Sequence, residues 1–95
     1  MKIEKRLTIL VLEDHEAMRR SHIDALQKQY SEALIYGAVN IEEAENQIKL
    51  YQPNLLIADL SIPKSMNDEA KATASNGIDF IKALMKSQKN LNIVV

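Results

Sequence analysis

The run Leu7-Thr8-Ile9-Leu10-Val11-Leu12 breaks off into Glu13-Asp14-His15-Glu16, and no other feature of the chain limits the possible folds as much. Apolar residues stand at nearly every position of the run instead of alternating with polar ones. A strand needs that composition when both of its faces are covered, as in a parallel sheet with helices on either side. The abrupt change to charge marks the point where the strand reaches solvent.

The rest of the chain repeats this unit. After the acidic turn, Met18, His22, Ala25, Leu26 and Tyr30 recur at helical spacing, which predicts a helix to about Tyr30 with these residues on its apolar stripe. Leu34-Ile35-Tyr36-Gly37-Ala38-Val39 reads as a second strand. Asn40 then stands three residues before Glu43, a spacing at which a capping side chain and a carboxylate satisfy free amides at a helix start. Ile41, Ala44, Ile48 and Tyr51 form the stripe of that second helix, and Pro53 lies where it cannot continue. Leu55-Leu56-Ile57-Ala58 is a third strand with Asp59 at its end. From Leu60 to Asn76 small and polar residues predict a loop, with one helical turn near Asp68 to Ala74. Gly77 opens a further periodic stretch in which Ile78, Ile81, Leu84 and Met85 share a face flanked by Phe80, and Leu91 to Val95 forms a fourth strand. Met18 and Met85 are expected to fill core space, and His22 to be partly buried.

Strands alternating with single helices give an α/β fold with right-handed crossovers, and function in such a sheet sits at the carboxyl ends of the strands. Glu13 and Asp14 end the first strand and Asp59 the third. If those strands are neighbours, three carboxylates converge, and two like charges about 4 Å apart repel by roughly 4 kcal/mol at an effective dielectric of 20. A hard divalent cation relieves that repulsion, and Mg²⁺ accepts carboxylates, a carbonyl, waters and a phosphoryl oxygen. One carboxylate is then placed to attack phosphorus while the others hold the ion.

Composition narrows the classes further. Twelve Lys and Arg against thirteen Asp and Glu give a net charge of -1, which excludes a basic surface for DNA within this chain. The absence of cysteine removes disulfides, thiolate metal sites and cysteine nucleophiles. Apolar runs are too short to span a bilayer and Met1-Lys2-Ile3-Glu4-Lys5-Arg6 does not open a signal peptide, so a cytoplasmic protein with no membrane partner is expected.

Leu10-Val11-Leu12-Glu13-Asp14-His15, Gly37-Ala38-Val39-Asn40-Ile41-Glu42-Glu43-Ala44 and Pro53-Asn54-Leu55-Leu56-Ile57-Ala58-Asp59-Leu60-Ser61-Ile62-Pro63 resemble, in order and spacing, the receiver domain of two-component response regulators. The Asp-His pair and the Gly-Ala…Glu-Glu-Ala segment are most similar to receivers of the transcription-factor type. The resemblance implies a flavodoxin-like doubly wound parallel sheet in the order 2-1-3-4-5, and one receiver domain over residues 1–95 that lacks the fifth strand and final helices. It also implies a role for each residue of the cluster. Asp59 would be the phosphoacceptor, Asp14 a direct Mg²⁺ ligand, Glu13 a ligand through water, and Ser61 a ligand through its backbone carbonyl. A histidine kinase or phosphotransfer protein would be the phosphoryl donor, and control of transcription would pass through an output domain outside the chain.

Two features depart from the family pattern. The glycine expected shortly after Pro63 is met only at Gly77, which places an insertion of roughly ten residues within Lys64 to Asn76. The Ser or Thr after the fourth strand and the Lys after the fifth do not occur before Val95. These departures motivate an alternative, a receiver-like interaction module that does not use phosphate. An edge at Leu91 to Val95 and an uncovered first helix would favour self-association. Enzyme readings are weaker. A flavin phosphate needs a small-residue loop where Glu13-Asp14-His15-Glu16 stands, and an aspartate-nucleophile phosphatase needs a second acid where Leu60-Ser61 stands. The expectation is a signalling module and not an enzyme.

Overall fold

A computed structural model of the chain describes residues 6–59 and 74–95. The elements are β1 (Thr8–Leu12), α1 (Glu16–Gln29), β2 (Leu34–Ala38), α2 (Ile41–Tyr51), β3 (Leu55–Ala58), α3 (Ala74–Ser87) and β4 (Asn92–Val94). All strand pairs are parallel and the sheet order is β2-β1-β3-β4, the order expected of a flavodoxin-like fold up to its fourth strand. Ser61, Pro63, the turn expected near Asp68 and most of the expected insertion lie outside the described residues.

The all-apolar run does what its composition requires. Successive residues of β1 point to opposite faces, and each face has its own core. Leu10 and Leu12 pack with Leu56, Ala58 and the inner faces of α2 and α3. Ile9 and Val11 pack with Ala33 and, around them, Ile23, Leu26, Ile35 and Ile57. Ile9, Leu10, Val11 and Leu12 are each at most 1% exposed, so the central strand is the most buried part of the sheet.

α2 follows its sequence pattern. The Asn40 side chain accepts a hydrogen bond of 2.8 Å from the Glu43 amide, and Ile41, Ala44 and Ile48 are buried. Tyr51 lies on the same stripe but at the rim, stacked face to face on Tyr36 with ring centroids 3.9 Å apart. The helix ends at Gln52, which turns into the left-handed region at φ 47°.

The other helices depart from expectation. Of the stripe predicted for α1 only Leu26 turns inward: Met18 is half exposed, and His22, Ala25 and Tyr30 are exposed too. The inward face is Arg19, Ile23 and Leu26, all partly buried. It fits because Gly37 on β2 has no side chain. A Cβ there would sit 3.0 Å from Arg19 Cδ and 3.2 Å from Ile23 Cδ1. In α3 the helix begins at Ala74, ahead of Gly77, and its large buried side chains among the described residues are Phe80 and Leu84, with Ile81 partly buried. Ile78 and Met85 point away from the core, so neither methionine acts as core filling. Phe80 is not a flank of the apolar face but its centre. The fourth strand is shorter than Leu91 to Val95, and Val94 at its end and Val95 after it are exposed.

Candidate functional site

The carboxyl ends of β1 and β3 form the site because these strands are hydrogen-bonded neighbours. Their register places Leu12 beside Ala58, and the next residues on each strand are Glu13 and Asp59. The ladder runs on into those residues: the Asp59 amide donates to the Leu12 carbonyl at 3.1 Å, and the Glu13 amide donates to the Ala38 carbonyl at 3.0 Å. Backbone pairing therefore anchors both acidic residues at one level of the sheet.

Ligand atoms of Glu13, Asp14, His15 and Asp59 all lie within 4.8 Å of one another. The structure thus brings together three of the four residues expected at a metal site. The fourth, Ser61, lies outside the described residues. Glu13 is almost wholly buried, with 4% of its side chain exposed, while Asp14 keeps 17% and His15 67%. Asp14 does not cap a helix. The N-cap of α1 is His15, whose side chain makes no capping bond.

His15 is instead turned back into the pocket. Its Nδ1 lies 2.8 Å from Glu13 Oε1, and its backbone amide donates to the same oxygen at 3.2 Å. Nδ1 is also 3.3 Å from Asp14 Oδ1, close enough for charge pairing but out of hydrogen-bond alignment, and that buried oxygen has no hydrogen-bond partner. The hydrogen bond to Glu13, followed by the charges of Asp14 and Glu13, raises the His15 pKa above its ordinary value. Arg19 reaches the same place from the first turns of α1, donating from Nη1 to the Glu13 carbonyl at 2.9 Å. The sequence pattern assigned neither His15 nor Arg19 a part in the pocket. The available signals were the adjacency of His15 to the acidic pair and the small Gly37 opposite the helix.

The donor set tests the implied Mg²⁺ directly. Hard carboxylate oxygens, one of them buried and without a hydrogen bond, suit an oxygen-seeking divalent ion, so the residues present fit the group. Among the described residues no helix is long and apolar enough to cross a membrane.

Comparison with known proteins agrees with this fold. A mutant of the response regulator MaeR, solved bound to sulfate, superposes with a TM-score of 0.77 at 20% identity over 95% of this chain and 66% of that one. The non-phosphorylated HemR receiver domain from Leptospira biflexa gives 0.70 at 25% identity over 93% of this chain and 61% of that one. This is the fold of response regulator receiver domains. The response regulator PhyR from Brucella abortus shares that fold at 16% identity, with a TM-score of 0.67 over 95% of this chain and 32% of that chain. A protein-glutamate methylesterase/protein-glutamine glutaminase of Clostridium acetobutylicum is 24% identical over 91 residues, which are 96% of this chain and 24% of that protein. The chain therefore spans about a quarter of the length of that curated relative. No family model matches the sequence.

Proposed function

We propose that the chain is the phosphoacceptor receiver of a two-component response regulator, with Asp59 as the residue phosphorylated. The observation that supports this most is the convergence of Glu13, Asp14 and Asp59 at adjacent strand ends in a receiver fold. A carboxylate oxygen of Asp59 attacks the phosphorus of a phosphohistidine on a histidine kinase or phosphotransfer protein. The P–N bond breaks, and an acyl phosphate is left on Asp59. Asp14, Asp59 and the Ser61 carbonyl would hold Mg²⁺ directly and Glu13 would hold it through water. Bound there, Mg²⁺ would neutralise the charge gathered between carboxylates and phosphoryl oxygens. The phosphorylated state would be read by an output domain beyond these 95 residues, in a cytoplasmic protein that regulates transcription.

The test uses beryllofluoride with Mg²⁺, a mimic of the phosphoryl group. Amide resonances around Asp14 and Asp59 should shift in the parent chain and stay in place in Asp59→Asn. Acetyl phosphate should label the parent and not the variant. Undiminished labelling of Asp59→Asn would overturn the assignment. Silence of the parent in both experiments would favour the interaction module that uses no phosphate.

A further inference from the structure

We propose that His15 is a fourth protein ligand of the carboxylate pocket, through Nδ1, and that with it the site takes borderline divalent ions such as Ni²⁺, Co²⁺ or Zn²⁺ as well as Mg²⁺. The inference rests on the reading of the pocket as a metal site and adds the class of ion. Nδ1 is the ring atom turned toward the carboxylates, 2.8 Å from Glu13 Oε1 and 3.3 Å from Asp14 Oδ1. Asp14 Oδ1 is buried with no hydrogen bond, so it keeps donor capacity for an ion. Donors around one ion at about 2.1 Å lie within roughly 4.2 Å of one another, so the set gathered here within 4.8 Å needs only a small contraction. The ring is 67% exposed, so that contraction is open to it.

Ligand chemistry decides which ions use the imidazole. Mg²⁺ prefers oxygen and keeps waters, so it is held by the carboxylates without His15. Nickel, cobalt and zinc accept imidazole readily and gain a bond that Mg²⁺ does not. When such an ion binds, the Nδ1 contact to Glu13 gives way to the metal bond, and the ring carries its proton on Nε2.

The experiment titrates the intact chain with Ni²⁺ and, separately, with Mg²⁺ by calorimetry, in the parent and in His15→Ala, His22→Ala and Asp59→Asn. Ni²⁺ affinity should fall about tenfold or more in His15→Ala and hold in His22→Ala, while Mg²⁺ affinity changes by less than about twofold in both. Asp59→Asn should weaken both ions. In the Co²⁺ complex one far-shifted, exchangeable imidazole N–H proton should appear, persist in His22→Ala and vanish in His15→Ala. Mg²⁺ binding together with Ni²⁺ affinity indifferent to His15→Ala would sink this inference alone. Loss of Ni²⁺ binding in His22→Ala would also overturn it, by locating the nickel site elsewhere. A parent chain that binds neither ion would remove the metal reading of the pocket and this inference with it.

Discussion

α1 and α2 each follow a strand of the same sheet, yet they are held in opposite ways. α2 is capped by Asn40 and anchored by the buried Ile41, Ala44 and Ile48. α1 has no side-chain cap and no buried residue; its contact with the sheet is the partly buried face of Arg19, Ile23 and Leu26. The difference follows from what precedes each helix. Before α2 stands a residue free to cap. Before α1 stand Glu13, Asp14 and His15, whose side chains are committed to one another, so the helix start serves the pocket instead of its own amides. Local stability at this strand end is exchanged for a cluster of charge, as expected where function overrides the rules that otherwise make a fold consistent.

The comparison breaks most plainly by truncating each helix's apolar contact. Ile48→Ala should lower stability by about 3 kcal/mol in urea denaturation, because it opens a cavity under α2. Ile23→Ala on α1 should cost less, about 1.5 kcal/mol, since that side chain is only partly buried against the sheet. Similar losses for the two variants would mean that α1 is anchored as firmly as α2. Removing the cap is the next largest effect. Asn40→Ala should cost about 1 kcal/mol through the lost bond to the Glu43 amide, and amide exchange should speed up first in the opening turn of α2. Gln52→Gly should act in the other direction. Its φ of 47° is strained for a side chain, so glycine should stabilise the end of α2 by about 0.5 kcal/mol, seen as a small rise in the denaturation midpoint.

The same contrast explains which parts were legible in the sequence. β1 and the start of α2 were readable because their signals are local: an unbroken apolar run, and Asn40 three residues before Glu43. The pocket residues Glu13, Asp14 and Asp59 were readable because strand ends are the expected place for function and the acidic residues stand there. The inward face of α1 was not. It depends on Gly37 of a different strand leaving room for Arg19 and Ile23, and an arginine whose stem lines an interface looks like a surface residue. In α3, Phe80 and Met85 both carry apolar weight, and only the packing against β1 and α2 decides that Phe80 points inward. His15 stands exposed at the helix start as a surface residue would, but its turn into the pocket was missed for a related reason. Its role follows from a side chain that turns backward across the strand end, which no periodicity records.

The smallest effect sharpens the comparison where α1 meets the pocket. The hydrogen bond to Glu13, then the charges of Asp14 and Glu13, hold the His15 pKa above the ordinary 6.5. A proton NMR titration of the His15 ring should show this elevation in the parent. In Glu13→Gln the carboxylate is gone, and with it the first and third of these causes, so the pKa should fall back toward 6.5 while the Asp14 charge remains. The sign of the linkage is set by the elevation. The contribution of the charged ring to folding is fully present below pH 6.5 and is lost as pH rises through the folded-state value, because only the folded chain binds that proton more tightly. The ring is exposed, so the effect on stability is small and salt should weaken it by screening the Asp14 part first. If the His15 pKa is the same in Glu13→Gln as in the parent, the ring is not bonded to Glu13 in solution. The start of α1 would then be free to cap itself, and its contrast with α2 would need another cause.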